Sequence, residues 1–109
     1  MEYKQPEDYY EVELTEKSII VAHPQKPVEQ IDWDEIQEIK LENTDEGPFL
    51  PDVWLVLTGN GKKCSIPQGL HGLQKVYDIV SKYNGFDFGN VIKSAGCTSN
   101  QIFELWKKQ

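Results

Sequence analysis

Arginine is missing altogether: all eleven basic residues are lysines. The planar fork that grips guanine or phosphate through two parallel hydrogen bonds is missing with it. With an isoelectric point near 4.7, the chain would repel a nucleic-acid backbone, which excludes nucleic acid as the expected partner. Apolar runs are short. None approaches the roughly 20 residues that cross a bilayer. The opening Met1-Glu2-Tyr3-Lys4-Gln5-Pro6-Glu7-Asp8 carries neither the basic nor the apolar segment of a secretory signal. A cytoplasmic protein with no membrane association is the expectation. Cysteine is scarce, and Cys64 and Cys97 lie far apart, so two reduced thiols are expected. His23 and His71 are the only imidazoles. No Cys or His pair stands at C-x-x-C or H-x-x-x-H spacing, so the usual zinc patterns are excluded. There is no repeat, low-complexity tract or interdomain linker.

What the chain does have is aromatic mass and carboxylate. Three Trp, five Tyr and four Phe stand in a composition that is 39% apolar. Each aromatic buries roughly 150–250 Å², so 109 residues suit one domain spanning 1–109 with one core. The net charge is −7, and it is unevenly held. Residues 1–54 contain fifteen acids and four lysines; residues 55–109 contain three acids and seven lysines. The first half is near −11 and the second near +4. A field divided in this way steers partners.

Hydrophobic periodicity predicts strands first and helices later. Tyr10, Val12 and Leu14 alternate with Glu11 and Glu13, the mark of a half-buried strand. Ser18 to Ala22 reads as the second arm of a hairpin, and His23-Pro24-Gln25-Lys26-Pro27 as its break. Val28 to Ile31 is extended, and Asp32 is placed to cap one helical turn. Ile39 and Leu41 then alternate with Glu38, Lys40 and Glu42, which predicts a strand over Ile36–Leu41 rather than the rival helix from Trp33. Asn43 to Pro51 is a loop. Asp52 to Thr58 is apolar on both faces, as a central strand should be. Gly59-Asn60-Gly61 turns the chain into Lys62–Ile66, with Cys64 and Ile66 facing inward.

Leu70, Leu73, Val76, Tyr77 and Val80 share a helical stripe. A second helix, capped by Asp87 and ended by Gly96, would bury Val91, Ile92 and Ala95. Residues 101–106 fit a last strand or a short helix. The class is α+β: a mostly antiparallel curved sheet of five to six strands, two helices packed on it, and a candidate closing strand.

No set of residues marks a catalytic centre, and no cofactor or metal is expected. Cys64 with His71 is the nearest approach to a nucleophile and base, and it defines the alternative reading of a small enzyme or enzyme subunit. Against it, an inward-facing strand thiol is usually inert. Asn43 to Glu46 is oxygen-rich but lacks the ligand spacing of a calcium loop. Gln68 to Gly72 opens a helix without the Lys-Ser/Thr of a phosphate loop. Trp54 reads as core and Trp106 as an anchor for the chain end. Trp33, between Asp32 and Asp34, has the make-up of an interface anchor. The expected partner-binding set is therefore Trp33, Asp34, Glu35, Glu38, Glu42, Asp45 and Glu46, and the expected partner is another protein with a basic surface.

The stretch Val28-Glu29-Gln30-Ile31-Asp32-Trp33-Asp34-Glu35-Ile36-Gln37-Glu38-Ile39 resembles the extended segment of bacterial PH-like domains, which often carry an Ile-x-Trp-x-x-Ile-x-x-Ile pattern where a strand enters through a Trp turn. Ser18-Ile19-Ile20-Val21 suits the same hairpin. The resemblance runs over residues 18–66 and implies a curved sheet packed on a helix, with a regulatory peptide-binding module as an alternative function. Two helices and a candidate strand after Ile66 depart from a single closing helix. By size and acidity the chain also resembles small bacterial immunity proteins, which implies occlusion of a partner protein.

Overall fold

Alternation and turn chemistry build the first sheet. The computed structural model describes residues 10–44, 53–67, 73–96 and 100–108. In it, β1 (Glu11–Leu14), β2 (Ser18–His23) and β3 (Lys26–Asp32) pair antiparallel in chain order. Tyr10, Val12 and Leu14 pack on the core, and Glu11 and Glu13 stay exposed, as the period of two requires. Thr15 closes the β1–β2 turn, its hydroxyl accepting the Ser18 N–H at 2.8 Å. The expected break at 23–27 is instead a two-residue turn at Pro24-Gln25, where His23 Nδ1 accepts the Gln25 N–H at 3.0 Å. Pro27 is tolerated inside β3 because it falls at a register shift, where the ladder lapses.

A 3-10 turn (Trp33–Glu35) leads into the second sheet. Its start is held by Glu35, whose carboxylate reaches back to the Asp32 N–H at 3.1 Å, one arm of a capping box. The rival helix does not form: Ile36 leaves the turn extended, and β4 (Glu38–Asn43) follows with the predicted alternation, Ile39 and Leu41 inward. With β5 (Val53–Gly59), β6 (Lys62–Pro67) and β7 (Gln101–Lys107) it makes an antiparallel sheet in the order β6-β5-β4-β7. Central β5 buries Leu55, Val56 and Leu57 on both faces. Asn60 (φ 51°) and Gly61 (φ 74°) make the turn into β6, as a two-residue hairpin prefers. Residues 101–106 are strand. Leu105 is the extra residue where the β4–β7 register shifts, and it stays buried.

The α+β order of strands, two helices and a closing strand is as expected, with the strands divided between two sheets. α1 (Leu73–Val80) buries Leu73, Val76 and Val80; Leu70 lies outside the described residues. α2 (Phe88–Ala95) is capped by Asp87, whose carboxylate accepts the Asn90 N–H at 3.0 Å. Its facing differs from the predicted one. Ile92 is 73% exposed and Ala95 is exposed, while Val91 is half-buried and Ser94 is buried. The cause is polar. Ser94 Oγ donates to Asn43 Oδ1 at 2.6 Å, and Asn43 Nδ2 donates to the Ser94 carbonyl at 2.9 Å. This pair fixes α2 on β4 and sets which side turns inward. One buried cluster joins both sheets and α1, with Ile19, Ile31, Leu55, Val76 and Leu105 among its members. Among the described residues, no helix is long and apolar enough to cross a membrane.

Candidate functional site

The two sheets meet along a seam. β3 lies beside β6, yet no ladder joins them. β6 is an edge strand, so one of its donors would face outward unpaired. Glu29 on β3 takes that donor: its carboxylate accepts the Ser65 N–H at 2.9 Å. The seam is thus tied by a side chain, and it leaves a cleft of about 530 Å³, within the size range of ligand sites.

Aromatic rings wall this cleft. Tyr10 and Trp54 meet edge to face with ring centroids 5.6 Å apart, and His23 lies 4.6 Å from Tyr10. Lys26 Nζ stands 5.1 Å from the Tyr10 ring centre and 5.7 Å from that of Trp54, inside the range of a cation–π contact. The same ammonium donates to the Tyr10 hydroxyl. Glu42 lines the cleft with Glu29, and its carboxylate has no hydrogen-bond or ion-pair partner among the described residues. Among the described residues, one ammonium therefore shares the cleft with two carboxylates.

The sequence-predicted set is not gathered in one place. Trp33 is half-buried and serves the fold: its Nε1 donates to the Thr15 carbonyl at 2.9 Å, fastening the 3-10 turn to the β1–β2 turn. Glu35 points to the β5–β6 hairpin and pairs with Lys62 at 2.9 Å. Glu38 pairs with Lys40 at 3.1 Å on the same face of β4. Asp34 is exposed; after burial, its charge is the second cause that lifts the Tyr83 phenol above its ordinary value. Of the set's described members, Glu42 alone lines the cleft. Asp45 and Glu46 lie outside the described residues.

Cys64 is fully buried, and burial, then the Glu29 charge, push its thiol up to about 12. A thiol so held is not a nucleophile at neutral pH. His71 and Cys97 lie outside the described residues. Among the described residues, no three His, Cys, Asp or Glu side chains converge as metal ligands.

No protein family, curated protein or solved structure matches the chain. Sequence reasoning missed Tyr10, His23, Lys26, Glu29 and Trp54 as cleft residues. They come from separate strands and turns, and no spacing rule joins them. The one local signal was Glu42, an acid on the wet face of β4 and cross-strand from Trp54.

Proposed function

We propose that the chain is a non-catalytic binding domain for another protein with a basic surface, most concretely an immunity-type inhibitor that occludes its partner in the cytoplasm. The observation that carries this reading is how charge divides across the fold. Residues 10–32, the first sheet and its turns, hold five carboxylates against two lysines. Residues 73–108, the helices and β7, hold three against five. A molecule whose first sheet carries this excess of carboxylate attracts an approaching basic surface, which speeds encounter and selects orientation.

The test is stopped-flow association with the product of the neighbouring gene. Raising salt from about 0.01 M to about 1 M shortens the screening length from roughly 30 to roughly 3 Å. The association rate is expected to fall by about tenfold or more. An equal rate at both salts removes the steering, and a partner left fully active in the complex removes the occlusion.

A further inference from the structure

We propose that the seam cleft receives one cationic side chain of the partner, an arginine guanidinium or lysine ammonium, and that Lys26 holds that group's place in the free protein. This rests on the reading of a basic protein partner. Three observations carry it.

The first is that the cleft already holds a cation. The Lys26 ammonium lies against the rings of Tyr10 and Trp54 at distances that suit cation–π attraction. A guanidinium is more weakly hydrated than an ammonium and stacks flat on aromatic rings, so it suits the same walls better. The second is charge. Among the described residues that line it, two carboxylates, Glu29 and Glu42, outnumber the single ammonium. An arriving cation cancels that excess, whereas an anion meets it. Glu29 is held in place by the Ser65 N–H. The Glu42 carboxylate has no partner among the described residues and is free to accept from the incoming group. The third is that Lys26 is displaceable: apart from its bond to the Tyr10 hydroxyl and its ring contacts, nothing among the described residues holds its ammonium. It is an exposed residue at the start of β3, beside the register shift, and among the described residues it forms no ion pair. Its flexible four-carbon stem can swing into water, where the ammonium is fully hydrated.

The experiment follows indole N–H resonances by ¹⁵N NMR while N-acetyl-arginine amide, N-acetyl-lysine amide, N-acetyl-glutamate amide or choline is added to the full chain. Trp33 and Trp106 are internal controls, since their indoles donate to the Thr15 and Asn84 carbonyls outside the cleft. The basic amides are expected to shift Trp54 saturably and leave the two controls still; the acidic amide moves nothing. Glu42→Gln weakens binding of the arginine amide by about tenfold, the scale of a charge-assisted hydrogen bond. Lys26→Met tightens it by a few-fold or more, because the resident competitor is gone. Both substitutions lie on exposed or half-buried side chains, and unchanged spectra away from the cleft confirm that each variant is folded.

No saturable Trp54 shift with either basic amide, a shift with the acidic amide instead, or unchanged affinity in Lys26→Met overturns the proposal. Choline binding more tightly than the arginine amide overturns the assignment to a side chain. The two readings fail separately. Salt-insensitive partner association with an intact Trp54 response sinks the steering and spares the cleft. Salt-sensitive association without that response does the reverse.

Discussion

Three donors converge on the carboxylate of Glu35: Lys62 Nζ at 2.9 Å, the Asp32 N–H at 3.1 Å and Asn60 Nδ2 at 3.2 Å. The Lys62 bond is the largest cause that lowers its pKa from 4.5 to about 2, and the Asp32 and Asn60 bonds follow. A depressed carboxyl stabilises the folded state above its unfolded pKa and loses that contribution as pH falls through its folded one. Glu35→Gln is therefore expected to be less stable than the parent at pH 7. The gap should narrow below about pH 4.5 and close near pH 2, read from urea unfolding at each pH. A gap independent of pH would mean that charge has no part in the tie. Gly59 sits against the same turn. A Cβ there would stand 1.8 Å from the Glu35 carbonyl oxygen, so Gly59→Ala must push the 3-10 turn off the hairpin. That belongs with the severe class of substitutions, at about 4 kcal/mol or more. Gly61 has positive φ but open space around it, so Gly61→Ala should cost only about 1–2 kcal/mol. Thermal melts of the two variants separate steric overlap from backbone strain. Residue identity alone announced the Gly61 turn but not the Gly59 contact, because the carbonyl it meets is 24 positions away.

Elements were legible where their signal is local. The alternation of Ile39 and Leu41 with Glu38, Lys40 and Glu42 appears in β4 as written, and the Leu73, Val76, Val80 stripe is the buried side of α1. Helix α2 was legible in its limits, with Asp87 at one end and Gly96 at the other, but not in its rotation. Counting apolar residues favours Ile92; the fold favours Ser94, because its hydroxyl meets Asn43 on β4, 51 positions earlier in the chain. A buried polar pair outweighs one apolar side chain when leaving either member unbonded costs about 1–3 kcal/mol. Ser94→Ala is expected to destabilise by about that amount in urea unfolding with an unchanged slope. Ile92→Ser, on the exposed side, should change stability by less than about 0.5 kcal/mol. Equal costs for the two would contradict the facing described. The cleft escapes sequence reasoning for the same reason as the α2 rotation. Tyr10, Lys26, Glu42 and Trp54 each look ordinary in their own strand, and only the meeting of two sheets brings them together.

At the scale of the whole molecule, Cys64 reports on the integrity of the shared core. It sits on the inward face of β6 within the cluster that joins both sheets and α1, with no exposed surface and a thiol pushed up to about 12. The thiolate is the form that reacts, so a reagent near pH 8 meets neither access nor nucleophile in the folded state. Labelling must wait for opening. In a Cys97→Ser background, which leaves one thiol to read, the rate equals that of an unfolded chain multiplied by the open fraction. For a domain stable by about 5 kcal/mol, that fraction is about 1 in 5,000. Labelling is expected to be slower than in the unfolded chain by three to four orders of magnitude. If both sheets open as one unit, urea should accelerate labelling with the same slope that describes global unfolding. If β6 peels away along the seam, where Glu29 and Ser65 replace a ladder, the slope will be shallower, because less surface is exposed per opening event. Fast labelling independent of urea would instead mean that a reactive thiol is already accessible in the folded state. That outcome would restore the pairing of Cys64 with His71 as an enzyme's nucleophile and base, and would remove the ground for reading this chain as a binding domain.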